Sequence, residues 1–116
     1  MSAEPTGWTV DRRMPGPAIV SQIRALIPDH ACVQLQGERN WASITFSGIR
    51  YCFSIDWPAA AKAAAVQDLA QTLPDHEFVI PGYFVADILV RDQSDSRLLV
   101  EILTIIDPSE RSDRQR

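Results

Sequence analysis

The hydrophobic pattern along this chain switches twice from a helical period to a strand period. Ile19, Val20, Ile23, Leu26 and Ile27 recur at helical spacing. They follow Gly16-Pro17, where proline suits the first helical position, and they precede Pro28, which stops a helix. From Ala31 the period becomes two. In ACVQLQ, Val33 and Leu35 share one face while Cys32, Gln34 and Gln36 share the other. Residues 37–40 read as a turn. WASITF then points Ala42, Ile44 and Phe46 to the core, Ser47-Gly48 fits a tight hairpin turn, and YCFSID points Tyr51, Phe53 and Ile55 inward.

A second helix is expected to open at Asp56-Trp57-Pro58 and run through the alanine-rich segment to Leu73, with Val66, Leu69 and Leu73 as its stripe and Pro74 as its stop. A short EFVI strand and a Pro81-Gly82 turn follow. The longest β-branched stretch then reads as a hairpin, with strands over 84–90 and 98–106 around the polar RDQSDSR. The expected core is Val33, Leu35, Ile44, Phe46, Phe53, Ile55, Val66, Leu69, Leu73, Ile88, Val100 and Ile102. These elements make an α+β domain over 16–107, with two helices on one face of a mainly antiparallel sheet of about six strands. Residues 1–15 read as a flexible arm and 108–116 as a solvated tail.

Pro28-Asp29-His30 and Pro74-Asp75-His76 repeat at an offset that also superposes Val20 on Val66, Ile23 on Leu69 and Ile27 on Leu73. The chain therefore reads as an αβββ unit used twice.

Composition narrows the function classes. With 116 residues the chain holds one modest core. A net charge of -4 disfavours a partner gripped mainly through phosphates, so nucleic acid is not expected. No apolar run approaches the roughly 20 residues of a membrane span, and the first residues lack a signal-peptide core. A cytoplasmic protein is the expectation. Cys32 and Cys52 fit no disulfide framework or metal spacing and read as free thiols. His30 and His76, the only histidines, read as turn chemistry ahead of a metal pair.

Two chemical features stand out. With the hairpin centred near Ser94, Asp87 falls opposite Glu101, and two opposed carboxylates call for a metal, an arginine or a shared proton. Asp87 in VADILV and Glu101 in LLVEIL resemble part of the PD-(D/E)xK nuclease pattern, and the resemblance implies a divalent metal held by these two acids. The position of that pattern's lysine is Leu103, and the only lysine, Lys62, lies on the preceding helix. The second feature is Trp41, which shares the polar face with Gln34, Gln36, Ser43, Thr45 and Ser54 and is a candidate binding anchor. No catalytic residue is assigned. There is no GxSxG motif and no glycine-rich phosphate loop.

The leading functional expectation is a non-enzymatic protein-interaction or regulatory module, homodimeric, with no cofactor. Its element order is similar to that of secretion-chaperone-like proteins, in which such an order makes a dimeric protein-binding unit. The alternatives are a divalent-metal hydrolase, or a degenerate nuclease-like protein, using Asp87 and Glu101, and a small-molecule binder between the half-repeats.

Overall fold

The computed structural model describes residues 15–58 and 63–107. The expected arm before Pro15, the tail from 108 and the first residues of the second helix, Lys62 among them, lie outside the described residues. Helix α1 (Gly16–Arg24) carries Pro17 in its first turn and Arg24 in its last, where a cation meets the negative end of the helix dipole. Strands β1 (Cys32–Ala42) and β2 (Ser47–Asp56) form a hairpin. Helix α2 (Ala63–Thr72) tightens into a single 3₁₀ turn, Leu73–Asp75, around Pro74. Strands β3 (Tyr83–Gln93) and β4 (Arg97–Ile106) form a second hairpin. Gly82 has φ +83 in the turn before β3, a conformation that glycine adopts without a Cβ penalty.

All pairings are antiparallel and the strand order is β1-β2-β4-β3. The fold is α+β, as expected from the pattern. β2 and β4 lie at the centre and pair without a register shift from Gly48↔Ile105 to Asp56↔Arg97. Alternation then places Tyr51, Phe53 and Ile55 of β2 beside Ile102, Val100 and Leu98 of β4, all at most 1% exposed. Ile19 and Ile23 from α1, and Val66, Leu69 and Leu73 from α2 and the turn after it, close over this layer. Gln22 of α1 also grips the 76–80 segment: its Nε2 donates to the Val79 carbonyl at 2.6 Å, and its Oε1 accepts from the Val79 N–H at 2.9 Å.

Two expectations change. The sheet has four named strands, not six, because residues 37–42 continue β1 through a bulge between Leu35 and Gly37. Residues 77–80 contribute only an isolated bridge between Ile80 and Tyr83. The element order is therefore αββ twice rather than αβββ twice. Second, the β1–β2 turn falls at 43–46, where Ser43 N–H donates to the Phe46 carbonyl at 2.7 Å and Phe46 N–H donates to Ser43 Oγ at 3.1 Å. Ile44 at the tip is fully exposed and Phe46 is 39% exposed, so neither belongs to the core. The other expected core positions are buried, or packed against the core in the case of Leu35 and Ile88. Both edge strands carry bulges. β1 carries its bulge near Gln36, and β3 carries two, between Val85 and Asp87 and between Val90 and Asp92. Bulges of this kind break the flat row of donors and acceptors that another strand would need.

The reassigned core makes a direct comparison possible. Phe53→Ala should lower unfolding stability by about 3–5 kcal/mol, as aromatic truncation in a packed core does. Ile44→Ala should change it by less than about 0.5 kcal/mol, since the tip side chain buries nothing. Urea titration of both variants against the parent measures the difference. Equal losses would show that the turn belongs to the core after all.

Candidate functional site

The two helices leave one face of the sheet open among the described residues, and the ladder registers set its side chains in rows. The first row crosses all four strands as Trp41, Gly48, Ile105 and Phe84. The second is Arg39, Arg50, Leu103 and Asp87. The third is Gly37, Cys52, Glu101 and Leu89, the fourth Gln34, Ser54, Leu99 and Asp92, and the last Cys32, Asp56 and Arg97. The face is thus aromatic at the β1–β2 turn end and polar at the other.

The aromatic end depends on a missing side chain. A Cβ on Gly48 would run into the Thr104 carbonyl oxygen and stand 2.9 Å from Ile105 Cα, so β2 approaches β4 here only as glycine. Phe46, just past the tip, meets Phe84 edge to face with ring centroids 6.4 Å apart, a favoured aromatic geometry. Ile105 is 3% exposed and Leu103 is 6% exposed although no described helix lies over them. Phe84 remains 40% exposed, Leu89 44%, and Trp41 is half-buried.

The middle of the face holds the acid. Glu101 is 9% exposed and sits between two arginines, with Arg50 Nη1 at 3.6 Å and Arg91 Nη1 at 3.4 Å. Asp87 does not oppose it. The bulges at Ala86 and Arg91 and a tip at Asp95-Ser96, closed by Ser94 N–H donating to the Arg97 carbonyl, put Leu103 opposite Asp87 and Leu89 opposite Glu101. The directly opposed like charges are Arg39 and Arg50, and Glu101 in the next row offsets Arg50. At the polar end Arg97 pairs with Asp56 at 3.4 Å, and Gln36 donates to Ser54 Oγ at 2.7 Å.

Among the described residues no group of three or more His, Cys, Asp or Glu side chains is placed to hold a metal. His30 is exposed, and His76 sets its ring edge-on to Phe78 with centroids 4.6 Å apart. Both cysteines are free thiols, Cys32 exposed and Cys52 half-buried. Burial, and then the charge of Glu101 in the same row, push the Cys52 thiol above its ordinary value, with Arg91 and Arg97 opposing. Such a thiol is a poor nucleophile near neutral pH. No helix among the described residues is long and apolar enough to cross a membrane.

Two measurements follow from this geometry. Because the folded chain holds the Cys52 proton to higher pH than the unfolded chain does, its contribution to stability is complete below the ordinary thiol value of 9.0 and is lost as pH rises beyond it. Melting curves from about pH 8 to about pH 10.5 should therefore fall more steeply for the parent than for Cys52→Ser, and parallel falls would remove Cys52 as the cause. Two arginines already balance Glu101, so Mg²⁺ or Mn²⁺ should leave the melting temperature unmoved. A rise that Asp87→Asn abolishes would restore the metal reading of Asp87 and Glu101. Compared with known proteins, the chain matches no family model, no curated protein and no solved structure.

Proposed function

We propose that this protein is a non-enzymatic interaction module that binds another protein surface through the aromatic end of its open sheet face. The observation that carries this reading is the row formed by Trp41, Gly48, Ile105 and Phe84, extended by Phe46. Its centre, Ile105, is 3% exposed while Phe46 and Phe84 stay about two-fifths exposed, at 39% and 40%. Aromatic side chains held on a rigid sheet, around a desolvated aliphatic centre and with charged residues only further along, have the composition of an interface anchor.

The bulged edges favour the face over strand addition as the mode of contact. The charges of the face are mixed: Arg39, Arg50, Arg91 and Arg97 stand with Asp56, Asp87, Asp92 and Glu101. Neither a polyanion nor a polycation is selected by such a surface.

A photo-crosslinking phenylalanine in place of Phe84 tests the reading in cells that express the full chain. It should give a discrete protein adduct, and the same reagent in place of Gln67, exposed on α2, should give none. Adding Trp41→Ser should weaken the adduct at 84, because the anchor row loses its largest member. Equal labelling at both positions, or none at 84, would remove the face as a binding surface.

A further inference from the structure

We infer that the aromatic end of the open face is covered from within the chain, by residues 1–14, and that a protein partner binds there by displacing them. The inference rests on the reading of the aromatic row as an interaction surface and names what regulates access to it.

The exposure of the face is uneven in a way that its own rows do not explain. Ile105 is 3% exposed and Leu103 is 6% exposed, and no described helix lies over them. On the β2 side Ile105 faces Gly48, which carries no side chain, and on the β3 side Leu103 faces the exposed Asp87. On the edge strand of the same face, Phe84 and Leu89 keep 40% and 44% of their exposure. A strip that is dry along the centre of the sheet and wet along the β3 edge has the pattern left by a narrow cover, such as one extended segment of chain.

Three segments lie outside the described residues, and composition separates them. Residues 59–62 are three alanines and a lysine held between Pro58 and α2. Residues 108–116 carry no large apolar side chain after Pro108. Residues 1–14 carry Trp8, Val10, Met1 and Met14, so of the three they alone bring large apolar groups to an apolar strip.

The point where this segment joins the fold sets its reach. Pro15 is fully buried, and its carbonyl accepts from the Ile19 N–H at 3.1 Å. A Cβ on Gly16 would stand 3.2 Å from Tyr51 Cε1 and 3.7 Å from Leu35 Cδ2, so the segment departs from the helix-covered side over β2 and the edge strand β1. Passing that edge to Gly48 on the other face takes roughly 20 Å, as one strand spacing out, one layer thickness and one spacing back. The stretch from Trp8 to Pro15 spans about 23 Å when extended. An indole laid over Gly48, between Trp41 and Ile105, fills the one place in the aromatic row that has no side chain, as aromatic rings do over glycines in sheets. Because the segment is tethered, its effective concentration is of order millimolar, and a contact weak enough for a partner to displace still holds it.

A photo-crosslinking phenylalanine in place of Trp8, in the full chain, tests the cover. After irradiation and cleavage at arginine, residue 8 should be joined to peptide 40–50 or 98–111, at or beside Trp41, Gly48, Leu103 or Ile105. In an equal mixture of ¹⁵N-labelled and unlabelled chains, each joined pair should carry a single label. Joining only to peptide 25–39, near the root of the segment, or joining between labelled and unlabelled chains, would overturn the inference. The displacement is read from the protein adduct formed by the crosslinker at position 84. Trp8→Ser should raise its yield at least about threefold, because the binding-competent fraction of the face increases, and Trp8→Phe should return it toward the parent value. Circular dichroism melts check that each variant folds, and Val10→Ser serves in place of Trp8→Ser if that one does not. An unchanged yield at 84 would overturn the inference even where residue 8 joins the row. Joining of residue 8 to the row with no protein adduct at 84, in the parent or in Trp8→Ser, would support the cover and overturn the interaction surface, so the two readings fail separately.

Discussion

The antiparallel pairing of β2 with β4 is the contact on which the rest of this structure depends. It joins the two hairpins and runs without a register shift. On one side it aligns Tyr51, Phe53, Ile55, Leu98, Val100 and Ile102 into a layer with almost no exposure. Burying large side chains of this kind contributes roughly 1.5–3 kcal/mol each, and both helices use the layer as their floor. The edge strands have a different role. Each can bulge because it is tied to the sheet on one side only, and the bulges fall on β1 and β3 and not on the ladder between β2 and β4.

Among the described residues both helices cover one face of the sheet, and side chains set the character of the other. That character is graded. Near the β1–β2 turn, the absence of a side chain at Gly48 brings β2 close to β4, and Phe46 reaches Phe84 over Ile105. In the middle, Glu101 is removed from water between Arg50 and Arg91. A buried carboxylate is costly without partners, and replacing Arg50 alone would leave it only the half-exposed Arg91. Glu101 and its arginines therefore fix the polar middle of the face, apart from its aromatic end.

The two most exposed large apolar side chains among the described residues are Ile44 and Val79. Hydrogen bonds hold the backbone at Val79 and on either side of Ile44, between Ser43 and Phe46. Apolar area exposed in this way is area that contact with another surface would remove from water.

The helices, the two central strands and most of the core were legible in the sequence, because prolines and glycines mark ends and because side-chain period separates helix from strand. Tyr51, Phe53 and Ile55 announce β2 by alternation, and Ile19, Ile23, Val66, Leu69 and Leu73 announce the helix stripes. Bulges were not legible. Each inserts one residue without changing composition, so GERN reads as a turn although it continues β1, and one displaced turn placed Ile44 and Phe46 in the core. In the second hairpin a tip at Asp95-Ser96 and two bulges moved Glu101 from Asp87 to Leu89. The ion pairs of Glu101 come from strands far apart in sequence, at Arg50, and from across the hairpin, at Arg91. Local pattern fixes which residues are apolar and at what period, since those depend on neighbours along the chain. Register, the partners of a charge and the side of the sheet left open depend on how ladders close between distant strands, and only the tertiary structure decides them.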